Sequence, residues 1–196
     1  GTSSVTVPLA FSPGRQGFGP QLSLTYDSGA GNGPFGFGWS LSLPAIVRKT
    51  ERGLPQYRDS EESDVFLLAG SDDLVPVART DEDPSIPVPT AGESFIVDRF
   101  RPRIEGLFAR IERWTHKLTG EVHWRTISRA NVTSCFGLTE QSRISDPADP
   151  SRRVYSWLVC ESYDDKGNAI VYEYASENEA NVDGELASER NREREN

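Results

Sequence analysis

The chain has 196 residues, 36% of them hydrophobic, and its 30 acidic and 21 basic side chains give a formal net charge of -9. Such a surface repels a polyphosphate backbone over most of its area, which argues against nucleic acid as a partner. No apolar run approaches the roughly 20 residues that a membrane-spanning helix needs, and 17 glycines with 13 prolines predict many short strands and few helices.

In chain order, residues 4–9 alternate and predict a first strand, stopped by the turn tripeptide Ser12-Pro13-Gly14. Leu22, Leu24 and Tyr26 point one way while Gln21, Ser23 and Thr25 point the other, the period of a half-buried strand. Trp39, Leu41 and Leu43 repeat that pattern. Between them, the glycines at 29, 31, 33, 36 and 38 predict a tight irregular loop without helix or ladder. Residues 45–50 resume an extended pattern. After the acidic run 59–64, the apolar run 65–70 predicts a strand buried on both faces. Residues 74–77 form its hairpin partner, placed near a sheet edge because of Pro76. Residues 79–93 carry prolines and charges and read as an exposed linker.

From Glu93 onward the pattern is a meander. Residues 94–103 and 107–116 are read as strands, although the second could also make a short helix. Residues 114–124 look like a hairpin. A three-residue loop with Gly120 left-handed sets Trp114 opposite Trp124, and a two-residue loop sets His116 opposite His123; the glycine position favours the first. A turn-rich passage through Ile127, Val132 and Phe136 and a punctuated loop from Ile144 to Pro150 precede the strongest late strand, Val154 to Tyr163. A turn at 164–168 returns it as residues 169–174. We therefore expect one β region over residues 1–175 and a polar tail, helical or disordered, over 176–196. With no methionine even at position 1, the natural chain is expected to begin upstream.

Chemistry-bearing patterns are sparse. Gly31-Asn32-Gly33-Pro34-Phe35-Gly36 satisfies G-x-G-x-x-G after a strand, but a dinucleotide site needs a helix opening at that loop, and Phe37-Gly38-Trp39 does not supply one. His116 and His123 could share a metal only with a third ligand that the sequence does not place. The acid pairs Glu61-Glu62, Asp72-Asp73 and Asp164-Asp165 sit in turns, where solvation accounts for them, and a calcium ion there is a secondary reading. Cys135 and Cys160 are read as two independent buried thiols. No nucleophile elbow is present, and neither cysteine has an evident histidine partner.

The stretch SPGRQGFGPQLSLTYDSGAGNGPFGFGWSLSLPAIVRKTERGLPQY, followed by SDVFLLAGSDDLVPV, resembles the amino-terminal region of the SpvB and toxin-complex B-component family. Its motif is carried here by Tyr26, Asp27, Gly29, Gly31, Asn32, Gly33, Pro34, Gly36, Gly38 and Trp39. Residues 163–168, Tyr-Asp-Asp-Lys-Gly-Asn, also resemble a tyrosine-aspartate hairpin of the Rhs type. The resemblance implies a mainly β fold of antiparallel sheets and hairpins with long Gly/Pro-rich loops, part of a Rhs-type shell around a cytotoxic effector. The implied partners are the rest of a longer toxin chain, other toxin-complex subunits and the enclosed effector, in a secreted assembly delivered to host cells.

In SpvB-like proteins the region precedes an ADP-ribosyltransferase domain that modifies actin. The resemblance implies no catalytic residue, metal or cofactor in the present chain. Readings of another class are an autonomous carbohydrate- or ligand-binding β domain and NAD-dependent transfer by this chain itself. If strands of a shell are missing from the isolated chain, its open sheet edges should cause weak self-association.

Overall fold

Alternating sequence and frequent turns produce strands throughout. The computed structural model describes residues 1–33, 35–51, 53–61, 63–68, 73–77, 94–104, 106, 108–175 and 185–186. The strands are β1 (Ser4–Pro8), β2 (Ser23–Asp27), β3 (Asn32–Gly33), β4 (Gly36–Phe37), β5 (Trp39–Leu41), β6 (Ala45–Arg48), β7 (Phe66–Leu68) and β8 (Asp73–Pro76). They continue with β9 (Phe95–Pro102), β10 (Arg110–His116), β11 (Val122–Ile127), β12 (Thr133–Phe136), β13 (Arg143–Ser145), β14 (Val154–Tyr163) and β15 (Ala169–Val171). Single 3-10 turns at Arg15–Gly17, Asp59–Glu61 and Glu140–Ser142 are the helical elements among the described residues.

Strands β6 to β12 run as an antiparallel meander, and β14 closes it by pairing with both β6 and β12. The result is an eight-stranded barrel, β12-β11-β10-β9-β8-β7-β6-β14, with β13 and β15 added alongside β14. The seam needs a long strand. β14 has ten residues, so its first half pairs with β6 and β13 and its second half with β12 and β15.

An eight-stranded barrel has an interior just wide enough to be filled by side chains. Here Phe66, Phe100, Trp124 and Trp157 fill it. The Phe66 ring lies 5.0 Å from Trp124 and 5.8 Å from Trp157, and Phe100 lies 5.0 Å from Trp124. Trp124 and Trp157 are fully buried, and the Trp157 indole N–H donates to the Val122 carbonyl at 2.8 Å. Ile46, Leu68, Leu74, Ile111, Val122, Phe136, Val154 and Val159 complete the cluster. At the β12 exit the backbone of Gly137 runs directly against Trp157, with φ +70°, and a Cβ there would stand 2.3 Å from the indole Cδ1. Only glycine fits both the conformation and the space.

The mainly β, antiparallel expectation holds, and several local expectations are corrected. Pro76 is not near an edge: β8 lies between β7 and β9 in a closed sheet, and proline is accommodated as the last residue of the strand. The run at 65–70 is not buried on both faces, since Phe66 and Leu68 turn inward while Leu67 is half-buried and Val65 is exposed. The passage through Phe136 contains β12, and Ile144 lies on β13. The final strand stops at Val171.

Neither predicted hairpin register occurs. Trp114 pairs with His123, because the loop has four residues, with the Gly120 N–H bonded to the His116 carbonyl. Gly120 is left-handed, at φ +76°, as expected. The expected linker 79–93, and the tail at 176–196 apart from 185–186, lie outside the described residues.

Candidate functional site

The segment singled out from sequence forms its own sheet, β1-β2-β5, separate from the barrel. Register makes it amphipathic. Val5, Tyr26 and Trp39 stand in one row and Val7, Leu24 and Leu41 in the next, all on one face. Thr6, Thr25 and Ser40 face the other way, with Ser23 bonded to Ser42 through its amide at 2.7 Å. A hydrogen bond from the Leu9 amide to the Leu22 carbonyl extends the apolar rows by one pair. The β1 side of this face is open, with Val5 52% exposed, Val7 44% and Leu9 38%, while Leu24, Tyr26, Trp39 and Leu41 are half-buried. A sheet with one apolar face normally buries it against another layer.

The motif glycines shape this sheet. Asp27 ends β2 and its carboxylate accepts the Gly29 amide at 2.8 Å, turning the chain. Contrary to expectation, the glycine-rich loop does contain a ladder, with Asn32 opposite Phe37 and Gly33 opposite Gly36. Gly38 has φ +79°, and a Cβ there would meet the Tyr26 ring at 2.6 Å, so glycine is what allows the Tyr26 and Trp39 rings to meet at 5.3 Å. The Gly38 amide bonds to the Gly31 carbonyl. The G-x-G-x-x-G run therefore leads into a small hairpin and not into a helix whose first amides could hold a pyrophosphate. The structure brings together Tyr26, Asp27, Gly29, Gly31, Asn32, Gly33, Gly36, Gly38 and Trp39 as one hairpin. Pro34 lies outside the described residues.

The two histidines do not face each other across the β10–β11 turn. Both contact the Phe95 ring, at 5.1 and 5.3 Å, and no group of three metal-ligating side chains exists among the described residues. Burial, reinforced by the charges of Arg143 and Arg125, pushes His123 down to about 4. Cys135 and Cys160 are free and buried, and the Cys160 thiol donates to the Cys135 carbonyl at 3.3 Å. Burial raises the Cys135 thiol to about 11. Asp164 accepts the Lys166 and Asn168 amides, each at 2.9 Å, so this acid of the tyrosine-aspartate turn organises its own loop.

Sequence reasoning missed the arginine at one barrel mouth. Arg48 shares the inward face of β6 with Ile46 and is 1% exposed. Its Nε donates to the Val154 carbonyl at 2.7 Å, and its other nitrogens reach Asp64 at 2.8 Å and Asp59 at 2.9 Å. The guanidinium also lies 4.9 to 5.3 Å from the centres of the Tyr57, Phe66 and Trp157 rings. Asp64 in turn accepts the Gln56 and Tyr57 amides. The acidic run is thus an anchor for the loop after β6. The available signal was a charged residue at an inward-facing strand position shortly before clustered acids. Tyr57 and Asp59, which contact Arg48, also line a pocket of about 410 Å³ together with Asp98 and Arg113.

This fold and sequence have known relatives. The family model described as "Salmonella virulence plasmid 65kDa B protein" matches residues 1–196. The chain is 40% identical over 190 residues to the mono(ADP-ribosyl)transferase SpvB of Salmonella typhimurium, covering 93% of this chain and 31% of that protein, and equally to that of Salmonella dublin. It thus spans about a third of the length of these curated relatives.

The solved N-terminal domain of effector protein SpvB from Salmonella typhimurium strain LT2 superposes with a TM-score of 0.82 at 37% identity, over 97% of this chain and 60% of that one. The crystal structure of TcdB2-TccC3 gives 0.78 at 33% identity, over 91% of this chain and 8% of that one. The Photorhabdus luminescens Tc holotoxin pore gives 0.79 at 34%, over 96% and 8%. With a family match along its whole length and a superposition on the solved SpvB domain over 97% of it, the chain belongs to the SpvB family.

Proposed function

We propose that this chain is a non-catalytic wall segment of a secreted bacterial toxin, contributing one panel of a hollow shell that encloses an effector and carries it to host cells. The observation that carries this reading is the open apolar face of β1-β2-β5, where Val5, Val7 and Leu9 are positioned for a covering layer. The barrel supports it. Its lumen is packed with aromatic rings, so it serves as a rigid block and not as a conduit. The covering layer is another part of the toxin assembly, either the same longer polypeptide or a neighbouring toxin-complex subunit.

A second version of the same role is an amino-terminal delivery segment ahead of an ADP-ribosyltransferase domain. The somewhat higher identity to the solved SpvB N-terminal domain, 37% against 33% for TcdB2-TccC3, favours it. Any transfer of ADP-ribose then resides outside this chain. The test is Val5→Glu with Val7→Glu in the longer toxin polypeptide. The barrel should fold, with its cooperative unfolding transition unchanged, while the effector becomes sensitive to added protease. Full protection of the effector in this variant contradicts the wall reading.

A further inference from the structure

The small sheet β1-β2-β5 ends in an unpaired strand. β1 pairs with β2 and with no other strand among the described residues, and all five of its residues are exposed. The Leu9 amide donates to the Leu22 carbonyl and the Ser28 amide to the Ser3 carbonyl, so Ser3, Val5, Val7 and Leu9 direct their backbone groups toward β2. Antiparallel pairs alternate between bonded and non-bonded positions, which leaves the amides of Ser4 and Thr6 and the carbonyls of Ser4, Thr6 and Pro8 directed away from the sheet. The strand on the other side of the sheet, β5, has three residues, and so has β15 beside the barrel.

An exposed edge is normally protected by charged side chains, an interior proline or a bulge. β1 has no charged residue and no bulge, and its proline is its last residue. Its surroundings are equally uncharged: residues 1–47 contain one basic and one acidic side chain, Arg15 and Asp27, so the net charge of -9 lies wholly in the rest of the chain. Two copies that repel each other over the barrel can therefore approach through this edge. The strand is also self-complementary. Val5-Thr6-Val7 reads the same in both directions, so a two-fold axis through Thr6 sets Thr6 against itself and Val5 against the second copy's Val7.

We propose that β1 is the contact through which two copies of this chain associate, edge to edge and antiparallel, joining their three-stranded sheets into one. Thr6 exchanges backbone hydrogen bonds with Thr6 of the second copy, and each Ser4 amide donates to the opposite Pro8 carbonyl. Proline has no N–H to return the second of these bonds, which keeps the association weak. The Val5 and Val7 side chains of both copies form one apolar strip, continuous with the rows on β2 and β5. The contact uses the edge of the sheet and not its apolar face, so it is independent of the covering layer.

The test is sedimentation of the purified chain from micromolar toward millimolar concentration. A reversible monomer–dimer equilibrium is expected, strengthening as salt screens the repulsion between the barrels, with the Ser4 and Thr6 amides exchanging more slowly with deuterium as concentration rises. Thr6→Pro removes an amide that β2 does not use, and Thr6→Lys sets like charges directly opposite each other. Each should weaken dimerisation by about tenfold or more while the unfolding transition stays in place. Leu118→Lys, which adds the same charge at a 90% exposed leucine in the β10–β11 turn, should leave dimerisation unchanged. A chain that stays monomeric throughout, leaving β1 to a strand of another polypeptide, overturns the proposal, as does a dimer that forms equally well with Thr6→Lys or that weakens as salt is raised.

Discussion

Replacing Arg48 by Met removes the charge that ties the loop after β6 to the barrel while keeping a side chain of similar length. Three hydrogen-bonded contacts are lost, to the Val154 carbonyl and to Asp64 and Asp59. The two acids respond differently. Asp59 keeps 23% of its side-chain surface in solvent and can rehydrate, whereas Asp64 is 5% exposed and retains only the Gln56 and Tyr57 amides. Removing one partner of a buried pair costs about 3–5 kcal/mol. Partial rescue of Asp59 by water, and contact of the Met thioether with the same three rings, place the expected loss at about 3 kcal/mol.

For a chain of this size that corresponds to a melting temperature lower by roughly 6–12 °C. Adding Asp64→Asn should recover part of the loss, because the uncompensated charge disappears, with a coupling of about 1–3 kcal/mol between the two sites. Urea denaturation followed by tryptophan emission measures both, since Trp157 lies against Arg48. A loss below about 1 kcal/mol for Arg48→Met, or strict additivity with Asp64→Asn, refutes the anchor argument.

Gly137→Ala should destabilise the barrel by more than about 2 kcal/mol, combining a left-handed backbone with a clash on Trp157; denaturation as stable as that of the parent contradicts it. His123 has its folded-state pKa lowered to about 4 from an ordinary 6.5, so the unfolded chain binds the extra proton between those values. Stability should fall as pH drops from 6.5 to 4 and level off below, by up to about 3 kcal/mol, and His123→Gln should lack that component of the pH profile. With its thiol raised to about 11 and buried, Cys135 should resist a disulfide thiol reagent in the native chain at pH 8 and react promptly in urea, as should the buried Cys160. Rapid native labelling of either would place it at the surface.

Elements with a clear alternation or a long apolar run bounded by turns were legible in the sequence. Leu22, Leu24 and Tyr26 against Ser23 and Thr25 gave β2, and the run Val154 to Tyr163 gave β14 with its observed bounds. The glycine-rich hairpin was legible as a turn because positive φ at Gly36 and Gly38 leaves few other residues possible. Barrel closure was not legible. It depends on β12 meeting β14, a pairing between strands that short-range alternation does not encode.

Pro76 was misplaced for the same reason, since an edge assignment presumes an open sheet. The β10–β11 register escaped because the hydrogen bond from Gly120 to His116 closes a four-residue loop, and each added loop residue shifts every cross-strand pair. Arg48 and the acids after it were separated by turns and looked solvated; only the three-dimensional fold turns them toward one another.

The central claim, that the apolar face of β1-β2-β5 is covered in the working toxin, is tested most directly by cysteine labelling. Val5→Cys and Thr6→Cys are neighbours on β1 that face opposite sides of the sheet, and the native cysteines are buried. Both variants should react quickly with a maleimide in the isolated chain. In the proposed toxin assembly, Val5→Cys should become protected while Thr6→Cys stays reactive. Equal reactivity of Val5→Cys in the isolated and assembled states would contradict the account.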